Sequence, residues 1–156
     1  MSTQTLPLVE PDTAVSPMAA PGRVAGHPGA LLALRVLAAL ALAASAYLHL
    51  KLALENGLGG TPFTLPQLFV GQAAACIAAV VMLAVGDREL FWLAALAVGI
   101  GSTVPLLASV YFPLPAIGPM PPINEPVWYG EKILSLAVGA SVPLLWLIRR
   151  IAPPAR

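Results

Sequence analysis

The chain has 156 residues, of which 58% are hydrophobic and only 10% charged, with a net charge of +1. A mean hydropathy of +0.85 lies far from the near-even apolar–polar mix of water-soluble domains, which excludes an ordinary soluble core. So small a net charge, with no basic stripe interleaved with aromatics, excludes nucleic acid as a partner.

Residues 1–29 are rich in Pro, Ala, Ser and Thr and carry no helical or strand period, which predicts a disordered tail. The first long apolar run starts too late, and behind too proline-rich a leader, for a secretory signal. It is read as a retained membrane helix.

Four runs reach the ~20 apolar residues needed to cross a ~30 Å hydrocarbon core at 1.5 Å per residue. Ala30–Leu50 is the first, with Arg35 close enough to one end to snorkel towards headgroups. It extends towards Leu54 before Asn56-Gly57 ends it. Leu65–Val85 is the second, with Pro66 in its first turn, where a missing N–H costs little. Cys76 lies within it, the single cysteine of the chain, and reads as a small buried hydrophobe. The third is Leu90–Tyr111 and the fourth Val127–Ile148, with Pro105 and Pro143 expected to kink them. No formal charge occurs from Asn56 to Gly86 or from Leu90 to Asn124. None of the four shows the polar face of a water-facing helix, and no period-two alternation supports a barrel. The fold class predicted is all-α: an integral membrane four-helix bundle, up-down-up-down, spanning residues 30–150, with residues 151–156 as a short second tail.

Basic residues divide six to two between the two sides: Arg23, Arg35, Arg88, Arg149, Arg150 and Arg156 against Lys51 and Lys132. The positive-inside bias then puts both termini in the cytoplasm, with the chain in a bacterial inner membrane. Trp92, Trp128 and Tyr129 fall where interfacial anchors belong. The Gly86–Glu89 turn is too short for anything but antiparallel neighbours. Between the third and fourth spans, six prolines lie among the fifteen residues Phe112–Pro126. They forbid regular helix and favour extended chain, lying on the membrane surface or capping the bundle. Asn124 and Pro126 read as the start of the fourth helix, with Glu131 near its positive dipole end. Small residues recur at four-residue spacing at Ala41 and Ser45, at Gly71, Ala75 and Ala79, and at Gly99 and Thr103. Such faces permit close helix packing.

Polar groups at membrane depth are costly and worth weighing. Tyr47, His49 and Glu131 come from the outer ends of two spans and Gln72 from the outer half of a third, and the sequence offers them as a candidate polar pocket under the proline-rich loop. Its structural alternative is that these residues simply sit at the water interface. Neither a metal nor a cofactor is implied: Cys/His clusters are missing, and a bis-histidine haem would need a second histidine at depth, whereas His27 is in the tail. No nucleophile, phosphate-loop or zinc-protease motif marks an enzyme.

Three segments carry a resemblance. The first span ends Ala46-Tyr47-Leu48-His49-Leu50, the second opens PQLFxxQAxA from Pro66, and WYxEK from Trp128 precedes the fourth. Together they resemble a group of small four-helix membrane proteins of GC-rich bacteria, over about Leu31 to Arg150. The resemblance implies the fold and no activity. The leading functional expectation is a non-enzymatic accessory subunit, with the bilayer and other membrane subunits as partners. The alternatives are a small transporter or channel-like homo-oligomer, and an outer-face membrane enzyme or redox protein using His49 and Glu131.

Overall fold

In the computed structural model the described residues are 28–58, 64–116, 118, 120 and 122–151; residues 1–27 of the predicted disordered tail lie outside them, while Pro28 and Gly29, also assigned to that tail, open the first helix. The described residues form four helices: α1 (Pro28–Glu55), α2 (Leu65–Val85), α3 (Glu89–Tyr111) and α4 (Gly130–Ile151). An isolated bridge pairs extended chain at Leu114 and Ile123. All four are long and apolar enough to cross a membrane.

Local chemistry explains the ends. At the C-terminus of α1, Asn56 bonds back to Leu52 O through its backbone N–H (3.1 Å) and its side-chain amide (2.8 Å). Gly57 follows at φ +80°, a left-handed turn that glycine adopts without a Cβ penalty. The α2 start places Pro66 in its first turn, and Gln67 Oε1 accepts from the Thr64 N–H at 3.1 Å. Gln67 is therefore a cap rather than a buried polar group. The fourth helix begins at Gly130 and not near Val127, because the chain before it is tied down in extended form: Glu125 N–H donates to Ser109 O at 3.0 Å. It also runs past Ile148 to include Arg149 and Arg150, cations that suit the negative end of the helix dipole. Both α3 and α4 continue through Pro105 and Pro143.

Each helix packs against two others in the cyclic order α1, α2, α3, α4, while the diagonal α1–α3 contact is slight. Arg149 near the end of α4 pairs with Asp87 and Glu89 beside the start of α3, and Lys51 of α1 pairs with Glu131 of α4. Neighbours are thus antiparallel. The two ends of the bundle are called here the Arg end (Arg35, Arg88, Arg149, Arg150) and the Lys end (Lys51, Lys132).

The interior is thin and built from small side chains: Ala38, Leu42 and Ala46 of α1, Ala73, Cys76, Ala79 and Leu83 of α2, Trp92 and Ala95 of α3, and Val142 of α4. Small residues matter most at the α3–α4 crossing. A Cβ added to Gly99 would stand 3.0 Å from Gly139 O, and one added to Gly139 would stand 2.8 Å from Thr103 Oγ1. The Gly99/Thr103 face is thus a packing face, as its spacing suggested. Its partner stripe on α4, Ser135, Gly139 and Pro143, carries the same four-residue spacing, which the sequence reading passed over. On α2 the buried stripe is Ala73, Cys76, Ala79 and Leu83, while Gly71 points outward with nothing within 4 Å of its Cβ position. Between 22% and 28% of each helix's most apolar stretch is buried, so most of its apolar surface faces outward.

Candidate functional site

The polar side chains of the bundle fall into three groups: a seam along the interior, a charge network at the Arg end, and a latch at the Lys end. Of the four residues proposed from the sequence, two lie in the seam, one at the Lys end and one on the outer surface.

His49 is 9% exposed on the inner face of α1. Its Nδ1 donates to the Ser45 carbonyl at 2.8 Å. A carbonyl only accepts, so the imidazole carries a proton on Nδ1; when neutral it leaves Nε2 as the acceptor. Phe69 of α2 meets the ring edge-on at 5.9 Å. Gln72 reaches the other way, towards α3: its amide donates to Ser102 Oγ at 2.6 Å and to Val98 O at 3.0 Å. Ser102 in turn donates to Val98 O at 3.1 Å. Cys76 Sγ lies 3.9 Å from the same Gln72 amide. Thr103 donates to Gly99 O at 2.8 Å. The seam is a set of closed hydrogen bonds inside and between helices, as a water-poor interior demands.

Tyr47 is 67% exposed and turns away from His49. Glu131 meets Lys51, not His49: Lys51 Nζ lies 3.4 Å from Glu131 Oε1 and 3.5 Å from Glu55 Oε1. The structure therefore places His49 and Gln72 in the seam, Glu131 in an ion pair at the Lys end, and Tyr47 on the outer surface.

Lys132 is the residue that the sequence reading undervalued. Only 4% of its side chain is exposed, and Nζ sits 2.8 Å from Glu125 O, 3.1 Å from Glu125 Oε2 and 5.0 Å from the centre of the Tyr129 ring. With the Glu125 N–H on Ser109 O, this ties the proline-rich loop to α3 and α4. Within the loop, Leu114 and Ile123 exchange backbone hydrogen bonds of 2.9 and 3.0 Å, with Gly118 at φ +58° between them. The described part of the loop is extended at Phe112 and at the Leu114–Ile123 pairing, where it folds back on itself. Tyr129 lies just before α4, where burial and the Glu125 and Glu131 carboxylates push its phenol pKa up. It stays a neutral hydroxyl. Tyr111 and Trp128 stack edge-to-face at 6.5 Å beside it.

At the Arg end, the turn after α2 delivers Asp87 and Glu89 to α4. Arg149 Nη1 donates to Glu89 Oε2 at 2.8 Å, Arg149 Nε lies 3.4 Å from Asp87 Oδ1, and Arg150 Nη2 lies 2.8 Å from Glu89 Oε1. Trp92, fully buried, donates from Nε1 to Asp87 Oδ1 at 2.6 Å, and Arg149 lies over its ring at 5.2 Å. The position of Trp92 in the sequence predicts an interfacial anchor. In the bundle it is a core residue with its N–H on a turn carboxylate. The Asp-x-Glu just before a Trp in the first turn of the third span, and the Arg-Arg closing the last span, are the available signal.

Among the described residues, no three of His, Cys, Asp and Glu come together in a metal-binding group. No family model, curated protein or solved structure matches the chain.

Proposed function

We propose that this chain is a multi-pass protein of the bacterial cytoplasmic membrane, with its Arg end and both termini in the cytoplasm, acting as a non-enzymatic subunit that stabilises a larger membrane assembly. The observation carrying the reading is where the polar groups are spent. His49, Gln72, Ser102, Thr103 and Lys132 are each bonded within the bundle, so the interior polarity specifies packing. The outer surface is apolar on every helix, from Leu37 (52% exposed) and Leu40 (61%) on α1 to Leu144 (57%) and Leu147 (47%) on α4. Such a surface suits lipid or the apolar helices of another subunit. The orientation follows the basic residues, because Lys and Arg accumulate on the cytoplasmic side.

Two experiments test this. Reporter fusions after Arg150 and within 57–60 should report opposite compartments, cytoplasmic for the first; an outside signal from the C-terminal fusion overturns the orientation. Affinity purification in mild detergent should bring down other membrane subunits in fixed stoichiometry. A chain recovered only as itself overturns the accessory reading. A ring-sized homo-oligomer would favour the second reading, a small transporter or channel-like assembly. The outward Gly71, with open space at its Cβ position and Ala75 one turn on, favours that second reading.

A further inference from the structure

An open groove of about 250 Å3 runs along the outside of the bundle between α1 and α2. Its walls are apolar, formed by Ala39, Leu40 and Ala43 of α1 and Val80 and Ala84 of α2, and its one charged lining residue is Arg35. The groove is a consequence of sequence: alanines one turn apart on α1 leave a furrow where larger side chains would fill the angle between the helices. Arg35 differs from the two arginines that close α4. Arg149 and Arg150 are paired with Asp87 and Glu89. Arg35 makes no ion pair or side-chain hydrogen bond among the described residues, although it is only partly exposed.

Dimensions fit a lipid. Arg35 lies seven residues after Pro28, roughly 10 Å along the axis from the start of α1, and Ala43 lies a further ~12 Å in. The second distance is close to the ~15 Å depth of one leaflet's hydrocarbon. A guanidinium at that depth snorkels towards the headgroups, where it meets phosphate in bidentate geometry. A neutral furrow closed by a cation at its headgroup end is complementary to an anionic phospholipid, acyl chain along the alanines and phosphate on Arg35.

We infer that the α1–α2 groove is a binding site for one anionic phospholipid of the cytoplasmic leaflet, its phosphate held by Arg35. The inference rests on the membrane reading above. That reading is tested separately, because the full chain must first remain with membranes through alkaline carbonate extraction; release into the soluble fraction would overturn it whatever the lipids do. The site itself is tested by native mass spectrometry of the full chain in detergent, titrated with dioleoyl phosphatidylglycerol or dioleoyl phosphatidylcholine. The expected result is a saturable one-to-one phosphatidylglycerol adduct, retained about tenfold more strongly than phosphatidylcholine. Arg35→Gln should reduce retention to the phosphatidylcholine level, and Arg35→Lys should restore part of it. Ala43→Leu, which fills the furrow and leaves the charge, should also weaken the adduct, whereas Arg88→Gln at the same end should leave it unchanged. Equal retention of the two lipids, an Arg35→Gln protein that still prefers phosphatidylglycerol, or an equal loss in Arg88→Gln would each overturn the site. Inorganic phosphate should not displace the lipid, and displacement would show an anion site rather than a lipid site.

Discussion

The two ends of the bundle solve the same problem, joining helices across a charged boundary, with connections of very different length. At the Arg end only Gly86–Arg88 separates α2 from α3, so the turn presents its carboxylates to α4 with little chain to order. Asp87 gains both the Trp92 N–H and a contact with Arg149, and the network closes over a fully buried ring. At the Lys end Phe112–Tyr129 must be held in place against the entropy of a long connection. A single largely buried cation, Lys132, does most of that, with the Leu114–Ile123 bridge and the Ser109 carbonyl assisting. The ion pairs also differ in shielding: the Arg149 side chain is 15% exposed, that of Lys51 36% and that of Glu131 47%. A short turn yields a network around one shielded arginine and a buried tryptophan, and a long loop needs a dedicated latch. The Lys51 pairs are worth little beyond local order.

That contrast can be broken most severely at Trp92. Replacing it with Ala removes a buried ring and leaves the Asp87 carboxylate without its N–H donor. The expected loss is about 3–5 kcal/mol, read as a fall in unfolding midpoint in detergent. A loss below ~1 kcal/mol would mean that the Arg end is not the more tightly built one.

Next in size is the latch. Lys132→Met keeps the side-chain length and removes the ammonium, leaving Glu125 with no cation within the latch. The expected cost is ~1–3 kcal/mol, and it should concentrate in the loop. Limited proteolysis between Phe112 and Tyr129 should quicken severalfold while the helices stay protected. Uniform cleavage across the chain would show that Lys132 holds the bundle and not the loop.

Arg149→Gln and Lys51→Gln compare the two ion-pair sets directly. The first should cost ~1.5–3 kcal/mol, because Glu89 loses a shielded, hydrogen-bonded partner and Asp87 loses the cation beside it. The second should change stability little, and what effect it has should diminish with added salt. Equal costs would remove the distinction between the ends.

The smallest effect expected is a coupling. His49→Ala and Glu131→Ala share no hydrogen-bond partner, since one bonds Ser45 and the other Lys51. Their stability effects should add to within about 0.5 kcal/mol in a double-mutant cycle. A larger coupling would restore the shared pocket that the sequence pointed to.

Much of the fold was legible because membrane-scale hydropathy is a long-range average that one-residue errors barely move. Four apolar helices follow from four runs, and Pro66 and Gly57 fall at ends as local backbone chemistry dictates. The start of α4 was misread because its position is fixed by a tertiary bond, Glu125 N–H to Ser109 O, and not by the Asn124 and Pro126 cues. The candidate pocket was built from depth alone. Depth places Tyr47, His49, Gln72 and Glu131 towards one end of the bundle, but says nothing about which way each helix is turned.

By itself, then, the sequence determined the all-α class, the number of helices and the antiparallel turn at Gly86–Arg88. Those depend on hydropathy, proline and glycine, and connection length, which are local properties. Only the tertiary structure decided that Trp92 lies in the core, that Lys132 is buried against Glu125, that Glu131 pairs with Lys51, and that α1 and α2 leave a furrow beside Arg35. Each depends on the rotation of a helix about its axis. In helices apolar on nearly every side the pattern of hydrophobic residues cannot fix that rotation, and close packing of the small side chains does.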